Sequence, residues 1–337
     1  MEILKNHDLT KLNTFGISAR AQFFTEVYAE DDIKELFMFP EFKNNTKLFL
    51  GSGSNVLFTK DFNGIVVFNK LKGIEIIKKD SENVWIRAMG GECWHDLVLF
   101  AVSRGYWGIE NLSLIPGTVG AAPMQNIGAY GVELKETLEN VETYEIKTGL
   151  RKIFTKKECG LGYRDSVFKN KLKGQYFISA ITLKLNRREK KNLEYKILRE
   201  YLEKNKIEVK NSKDISDAVV QIRKSKLPDP AVTGNAGSFF KNVFLEPAKL
   251  KNLLEKYHDM PYFEEDGLVK VPAGWLIEQC GWKGKRVGNV GVHDKQALVL
   301  VNHGGATGEE VKNLAEQIIE SVFTKFALKL VPEVNLI

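Results

Sequence analysis

The sequence predicts an α+β protein of more than one domain. Its 337 residues suffice for about two domains at roughly 150 residues each. Short β-rich runs alternate with helical patterns and glycine-rich loops throughout the chain. The hydrophobic fraction of 43% and the charged fraction of 27% are average for globular proteins, which excludes disordered, collagen-like and disulfide-framework classes.

The first third of the chain is predicted to form small sheets and two helices. Apolar residues recur at i, i+3, i+4, i+7 and i+8 from Trp94 to Val102, which predicts a helix with one apolar face. A second helix is predicted at residues 31–39. The predicted strands lie at residues 23–28, 47–50, 65–68, 74–78 and 84–88.

The remainder of the chain predicts two helix-containing parts separated by Leu227-Pro228-Asp229-Pro230, because proline stops regular structure. Thr307 and Glu310 form a capping box at the start of the last helix. The other predicted helices span residues 192–206, 214–224, 246–257 and 273–280. The predicted strands span residues 141–146, 152–154, 176–185, 238–243, 296–301 and 328–331.

The net charge and the distribution of apolar residues limit the classes of binding partner that we expect. The net charge of +6 suits small anionic substrates, but acids interleave with the basic residues, so we expect no nucleic-acid partner. The longest apolar run, residues 97–102, is far shorter than the about 20 residues of a membrane span. The N-terminus has no apolar signal region. We therefore expect a cytoplasmic protein that is not bound to a membrane.

Three cysteines, Cys93, Cys159 and Cys280, are too far apart for a disulfide framework or a paired-cysteine metal site. We expect them to be buried thiols. No His/Cys/Asp/Glu cluster has metal-ligand spacing, so no metal is expected.

A first candidate binding segment is Gly51-Ser52-Gly53-Ser54-Asn55, which directly follows a predicted strand. Closely spaced glycines let backbone N–H groups approach phosphate oxygens, and Ser and Asn add donors. The segment is neither a Rossmann fingerprint nor a P-loop, because the required third glycine and Gly-Lys-Ser/Thr are absent. An ordinary turn is the alternative interpretation.

A second candidate segment spans residues 105–131, which contain six glycines and no lysine or arginine. A stretch so poor in charge is typically buried, here by packing of its backbone against a ligand. The amides of Gln125 and Asn126 could bond the edge of a heterocycle. Two glycine-rich segments about 60 residues apart fit a dinucleotide whose pyrophosphate lies between them.

Eight motifs, in order along the chain, resemble the UDP-N-acetylenolpyruvoylglucosamine reductase family, whose flavin-binding fold is of the vanillyl-alcohol-oxidase type. They are Asn13-Thr14-Phe15-Gly16, Gly53-Ser54-Asn55, Ile115-Pro116-Gly117 through Gly131, Gly162-Tyr163-Arg164-Asp165-Ser166, Lys226-Leu227-Pro228-Asp229-Pro230, residues 234–242, residues 273–277 and Pro332-Glu333-Val334.

The resemblance implies a two-part FAD-binding domain plus a smaller α+β substrate-binding domain. The implied division is residues 1–70 with 328–337, residues 71–227, and the substrate domain at residues 228–327. FAD is the implied cofactor and NADPH the implied electron donor. The implied cofactor-binding residues are Gly51, Ser52, Gly53, Ser54, Asn55, Ile115, Pro116, Gly117, Thr118, Gly120, Gln125, Asn126, Gly128 and Tyr163.

The resemblance also implies three catalytic residues. Ser238 would donate a proton to the enolate formed after hydride transfer to the enolpyruvyl ether of a UDP-sugar. Arg164 would hold the substrate carboxylate with its guanidinium fork. Glu333 would polarise the serine or a water molecule. NADPH and the UDP-sugar would use one pocket in turn, which implies ping-pong kinetics.

Substrate diphosphate contacts are implied for Lys226 and Asn242, and Gln296 is a further candidate for the nucleotide site. Tyr195 resembles a loop tyrosine that closes over the diphosphate, although a helix-face aromatic is the alternative. One departure concerns Asn335, where the family often has a basic residue. An ionic contact from that position is therefore in doubt.

Two other function classes compete with this interpretation. A sugar or alcohol oxidase of the same fold often binds flavin covalently through His or Cys, and neither occurs in residues 105–131. A non-catalytic nucleotide module or RNA binder would show aromatic residues interleaved with basic ones, which we do not find. We expect a monomer with a small UDP-sugar substrate.

Overall fold

The structure is a computed structural model that describes residues 1–265 and 267–337. The helices are α1 (Glu30–Leu36), α2 (Pro40–Asn44), α3 (Trp94–Val102), α4 (Lys196–Lys204), α5 (Ser212–Lys226), α6 (Pro247–Leu254), α7 (Ala273–Gln279) and α8 (Gly308–Phe326). The strands of the first two thirds are β1 (Leu4–Asp8), β2 (Arg20–Val27), β3 (Lys47–Leu50), β4 (Val56–Leu57), β5 (Phe62–Asn69), β6 (Ile74–Lys79), β7 (Asn83–Met89), β8 (Gly128–Ala129), β9 (Val132–Glu133), β10 (Leu138–Glu145), β11 (Arg151–Thr155) and β12 (Tyr176–Asn186). The remaining strands are β13 (Gly234–Ser238), β14 (Val243–Leu245), β15 (Phe263–Glu265), β16 (Leu268–Val271), β17 (Arg286–Val287), β18 (Val290–Val292), β19 (Val299–Asn302) and β20 (Asn335–Leu336).

The chain forms two compact units. The first comprises Met1–His7, Ala21–Ser52 and Phe62–Ser225, and the second comprises Asp8–Arg20, Gly53–Asp61 and Lys226–Ile337. The change after Ser225 lies just before the proline-containing boundary predicted from the sequence. The finer three-part division remains a prediction.

The first unit contains two sheets. The four-stranded sheet has the order β1-β2-β5-β3, in which β5 pairs in parallel with both β2 and β3. The five-stranded antiparallel sheet has the order β11-β10-β12-β7-β6. Helix α3 packs on this second sheet through the apolar face predicted from its spacing. Apolar residues of the glycine-rich segment enter the same core, among them Ile109, Leu112, Val119 and Ile127. Packing within the protein therefore explains much of the missing charge in that segment.

The second unit is built from small sheets and the long helix α8. Its sheets have the orders β13-β19-β18-β17 and β14-β16-β15, and β20 pairs in parallel with β4. The predicted capping box is confirmed, because Thr307 Oγ1 accepts from the Glu310 N–H at 3.2 Å while Glu310 Oε2 accepts from the Thr307 N–H at 2.7 Å. One face of α8 is buried along its whole length.

Several predicted elements have different bounds in the structure, among them one helix and two strands next to predicted site residues. Helix α4 begins at Lys196 rather than at residue 192, because the preceding residues are extended and bonded to a neighbouring loop. The predicted strand at residues 238–243 is wrong. Ser238 ends β13 after Gly237, which has φ of 67° and lies at a register shift. The predicted strand at residues 328–331 is also wrong, because the chain there makes only an isolated bridge, between Pro332 and Phe240, rather than a ladder.

Other expectations concern cysteines, metals and membranes. Cys159 is buried as predicted, and its burial raises the pKa of the thiol to about 12. Cys93 and Cys280 are instead half-buried. Within residues 1–265 and 267–337, His, Cys, Asp and Glu form no group that could hold a metal ion. No helix of that part of the chain combines the length and the apolarity needed to cross a membrane.

Candidate active site

Gly51, in the first predicted cofactor segment, lies against Thr118 of the second segment, and both residues belong to the first unit. Strand β3 ends at Leu50, and a methyl group added to Gly51 would lie 2.2 Å from Thr118 Oγ1. Only glycine therefore permits this approach. The buried hydroxyl of Ser52 has no hydrogen-bond partner among the described residues. A buried hydroxyl without a partner is costly unless a ligand or water satisfies it, so the geometry fits a bound polar group.

Helix α3 supports the second cofactor segment. The Trp94 N–H, at the start of α3, donates to the Gly117 carbonyl at 3.0 Å, and the Val119 N–H donates to the Glu92 carbonyl at 2.9 Å. These bonds fix the backbone around Gly117 and Thr118. The residues predicted to contact the cofactor thus form part of a rigid loop.

Arg164 lies along the same glycine-rich segment. Its backbone has φ of 51°, and its Nη2 donates to the Gly128 carbonyl at 2.6 Å. A methyl group on Gly128 would lie 2.8 Å from Arg164 Nη1. A side chain at position 128 would therefore displace the guanidinium from its place against the backbone.

The side-chain amide of Asn126 is hydrogen-bonded within the protein. Its side chain is fully buried, and its Nδ2 donates to Glu133 Oε2 at 3.0 Å and to the Gly162 carbonyl at 2.9 Å. Both N–H bonds of the amide are thus used within the protein rather than offered to a heterocycle. The bond to Gly162 instead anchors the turn that carries Tyr163 and Arg164.

Arg223 is a candidate residue that the sequence analysis missed. It lies on α5, and its Nε donates to the Leu114 carbonyl at 3.2 Å. Burial lowers the pKa of this guanidinium, and the charge of Arg164 lowers it further against the opposing effect of Tyr130. Two positive charges near each other favour an anionic ligand. One feature of the sequence could have identified Arg223: it precedes Lys226 by three residues, which places the two side chains on the same face of a helix.

Tyr195 is the residue before α4 rather than a helix-face aromatic. Its ring meets the Tyr130 ring edge-on, with the centroids 5.4 Å apart, and the residue is 42% exposed. The buried Asn111 side chain donates to the carbonyls of Tyr130 and Asn192, at 2.9 and 3.0 Å. Asn111 therefore ties the segment before α4 to the glycine-rich loop.

The second unit brings Ser238 and Glu333 onto adjacent segments. The Phe239 N–H donates to the Leu298 carbonyl at 2.7 Å, and the Phe239 carbonyl accepts from the Glu333 N–H at 2.8 Å. Phe239 is buried whereas Ser238 is exposed. The serine is therefore exposed on a segment whose next residue is hydrogen-bonded to the segment that carries the glutamate.

Asn55 and Asn335 hold the C-terminal segment in place. Asn335 Nδ2 donates to the Asn55 carbonyl at 2.9 Å, and its backbone N–H donates to the same oxygen at 3.1 Å. Asn55 Nδ2 donates to the Glu333 carbonyl at 3.5 Å. Asn335 thus serves as a neutral link to the predicted cofactor loop.

The N-terminal motif supports the same loop. The Thr14 N–H donates to the Gly53 carbonyl at 3.1 Å, and Thr14 Oγ1 donates to the Asn235 carbonyl at 2.6 Å. Gly53 has φ of 66°, and a methyl group there would lie 2.0 Å from the Leu12 carbonyl oxygen. This motif therefore joins the loop at Gly53 to the strand that ends at Ser238.

Two predicted substrate residues border the start of α7. Asn242 Oδ1 accepts from the Ala273 N–H at 3.1 Å, and a methyl group on Gly274 would lie 3.3 Å from Gln296 Oε1. Lys226 is half-buried at the end of α5.

Each predicted site residue belongs to one of the two units. Those of the first unit are Gly51, Ser52, Ile115, Pro116, Gly117, Thr118, Gly120, Gln125, Asn126, Gly128, Tyr163, Arg164 and Tyr195. Those of the second unit are Gly53, Ser54, Asn55, Lys226, Ser238, Asn242, Gln296 and Glu333.

Replacing Gly51 with alanine is expected to weaken FAD binding. The added methyl group collides with Thr118, and overpacking of this kind costs about 1–3 kcal/mol, which corresponds to roughly a 5-fold to 140-fold loss of affinity. Titration of free FAD fluorescence with apoprotein measures the effect. Gly162→Ala is the matched control, because its methyl group would lie 3.7 Å from Asp165 Cβ, an ordinary contact. Equal FAD affinity in the two variants would contradict the prediction.

Family models match most of the chain. Residues 21–150 match the FAD binding domain, and residues 229–337 match the C-terminal domain of UDP-N-acetylenolpyruvoylglucosamine reductase. The first match includes the loop with the unpartnered Ser52 hydroxyl and the close approach of Gly51 to Thr118. The residues present thus fit the FAD that this domain binds.

Full-length relatives and a solved structure agree with these matches. The chain is 49% identical to UDP-N-acetylenolpyruvoylglucosamine reductase of Amoebophilus asiaticus, with 100% of both chains covered. It is 47% identical to the enzyme of that name from Flavobacterium johnsoniae, again with 100% of both covered. The crystal structure of the Thermus caldophilus reductase shares the fold, with a TM-score of 0.66, 24% identity and coverage of 99% of this chain and 98% of that one. The chain therefore belongs to the UDP-N-acetylenolpyruvoylglucosamine reductase family.

Proposed function

We propose that this protein is an FAD-dependent oxidoreductase that uses NADPH to reduce the enolpyruvyl group of UDP-N-acetylglucosamine-enolpyruvate. The product is UDP-N-acetylmuramate, a precursor of peptidoglycan. The observation that carries the proposal is the match over the full length to reductases of this name at 49% and 47% identity. The FAD-binding domain at residues 21–150 supports it.

Arg164 is proposed to bind the carboxylate of the enolpyruvyl group. Bound FAD, once reduced by NADPH, would supply a hydride to the terminal vinyl carbon, and negative charge would then build on the adjacent carbon and its carboxylate. A guanidinium fork can bond both carboxylate oxygens at once. The bond from Arg164 to the Gly128 carbonyl and the positive charge of the nearby Arg223 support a fixed, anion-binding orientation.

Ser238 is proposed to give a proton to the enolate carbon, and Glu333 to assist it. A serine hydroxyl is a weak acid, so rapid proton donation requires a neighbour that polarises it. The bond between the Glu333 N–H and the Phe239 carbonyl supports this pairing, because it holds the glutamate segment beside the residue after Ser238.

Lys226, Asn242 and Gln296, which belong to the second unit, are proposed to bind the UDP moiety. For Tyr195, which is half-exposed beside Tyr130, we propose a contact with the diphosphate. The net charge of +6 favours such an anion. We also propose a cytoplasmic monomer, since both NADPH and nucleotide sugars are cytoplasmic metabolites.

Steady-state turnover tests the proposed reaction. The purified protein with NADPH should convert the enolpyruvyl UDP-sugar to a product heavier by two hydrogens, identified as UDP-N-acetylmuramate by mass spectrometry. Parallel double-reciprocal lines are expected, because one pocket serves NADPH and the sugar in turn. Intersecting lines would contradict the shared pocket, and NADPH oxidation by oxygen alone would favour the oxidase alternative.

A further inference from the structure

Leu114 has an uncommon backbone conformation at the start of the proposed cofactor loop. It directly precedes Ile115-Pro116-Gly117 and has φ of 56°. L-residues other than glycine rarely adopt this left-handed region, because Cβ crowds the following carbonyl oxygen. Such a conformation persists only where the surrounding structure imposes it. The loop path therefore depends on whatever holds Leu114.

Two side chains hold both backbone polar groups of Leu114. Its N–H donates to His95 Nδ1 at 3.0 Å, and its carbonyl accepts from Arg223 Nε at 3.2 Å. His95 lies in the first turn of α3, and Arg223 lies on α5. Two helices that are separate along the chain thus fix one residue.

The first turn of α3 is itself anchored on both sides of Leu114. Trp94 Nε1 donates to the Leu112 carbonyl at 2.9 Å, and the Trp94 N–H donates to the Gly117 carbonyl at 3.0 Å. The half-buried His95 ring is therefore presented to Leu114 from a fixed position. None of the motifs that indicated the family includes this histidine.

We propose that His95 is a positioning residue for FAD: its imidazole accepts the Leu114 N–H and thereby sets the path of residues 115–120. The inference rests on the proposed placement of FAD against this loop. It assigns no chemical step to His95. It predicts instead that cofactor affinity depends on an acceptor at the position of Nδ1.

The proposed role requires the neutral form of His95. An Nδ1 that accepts a hydrogen bond must carry its lone pair, so the proton of the neutral ring lies on Nε2. Burial lowers the pKa of His95, and the charges of Arg223 and Lys224 lower it further, against the opposing effect of Asp96. The acceptor is thus fully present above the ordinary histidine pKa of about 6.5. As pH falls below that value, the imidazole becomes protonated first in molecules in which the bond to the Leu114 N–H is broken. The contribution of this bond to the loop conformation therefore declines.

Two substitutions of His95 test the proposal. Asparagine places Oδ1 close to the position of Nδ1 and can accept the same N–H, whereas phenylalanine keeps the ring volume without an acceptor. Quenching of free FAD fluorescence by apoprotein gives the affinity at about pH 8, where histidine is neutral. We expect His95→Phe to weaken FAD binding by roughly 10-fold and His95→Asn to stay within about 3-fold of wild type.

The pH profile gives a second readout. Wild-type FAD affinity should fall as pH decreases below about 6.5, and the His95→Asn profile should be flatter because asparagine does not titrate. Even if His95→Phe fails to fold, the comparison of wild type with His95→Asn remains decisive. Superimposable profiles for these two proteins would overturn the proposal.

His293→Phe is the matched control, because its Nδ1 also accepts a backbone N–H, from Lys295 at 3.3 Å, but in the second unit. We expect this variant to bind FAD like wild type. Wild-type affinity in His95→Phe, or equal losses in the two His95 variants, would contradict the positioning role. Turnover of the UDP-sugar by wild type is measured alongside. Its absence in a protein that binds FAD would overturn the proposed function and leave the role of His95 standing.

Discussion

Replacing Ser238 with alanine should leave reduction by NADPH unchanged and slow the reaction with the enolpyruvyl UDP-sugar. The alanine cannot donate a proton to the enolate, and a positioned general acid typically contributes about 10²–10⁴-fold in rate. Anaerobic stopped-flow spectroscopy separates the two half-reactions. Bleaching of the flavin bands reports the first, and their return on addition of the sugar reports the second.

A matched control distinguishes the lost proton donor from a general effect of removing a hydroxyl. Ser81 is exposed and lies between β6 and β7, so Ser81→Ala should behave like wild type in both half-reactions. The proton-donor assignment is wrong if Ser238→Ala reoxidises with the sugar at the wild-type rate. Equal slowing of both half-reactions would instead indicate a disturbed cofactor site.

Replacing Glu333 with glutamine should slow the same half-reaction by roughly 10²-fold, because the amide cannot polarise the serine as a carboxylate does. The two residues are expected to act as a unit, since the Glu333 N–H is bonded to the carbonyl of the residue after Ser238. The double variant Ser238→Ala/Glu333→Gln should therefore be little slower than Ser238→Ala alone. The same stopped-flow measurement reports all three proteins.

Glu316→Gln is the corresponding control on the exposed face of α8. It should leave both half-reactions unchanged. If the rate reduction in the double variant equals the product of the reductions in the two single variants, Glu333 and Ser238 act independently. The proposed cooperation between them would then be wrong, although each could still take part in the reaction.

Sequence patterns were informative where structure is local. The apolar spacing of α3 and the capping box of α8 predicted both helices correctly, because each pattern is set by residues within a few turns. Strand β3 and the glycine loop after it were also predicted at the positions observed. The motif order identified the family, which full-length relatives confirm.

Features that depend on distant contacts were not predictable from one sequence. Arg223 carries no motif of its own, and its place beside Arg164 follows only from the packing of α5. The end of β13 depends on a left-handed glycine and on a second pairing partner nearly 100 residues further along the chain. The hydrogen bonds of the Asn126 side chain were not predictable for the same reason, because the bonding partners lie in other segments.

The most direct test of the proposed function is a two-step anaerobic spectrum of the wild-type protein loaded with FAD. NADPH should bleach the flavin bands, and the enolpyruvyl UDP-sugar alone should restore them with formation of UDP-N-acetylmuramate. Flavin bands that NADPH bleaches but that return only when oxygen is admitted would contradict the proposed function.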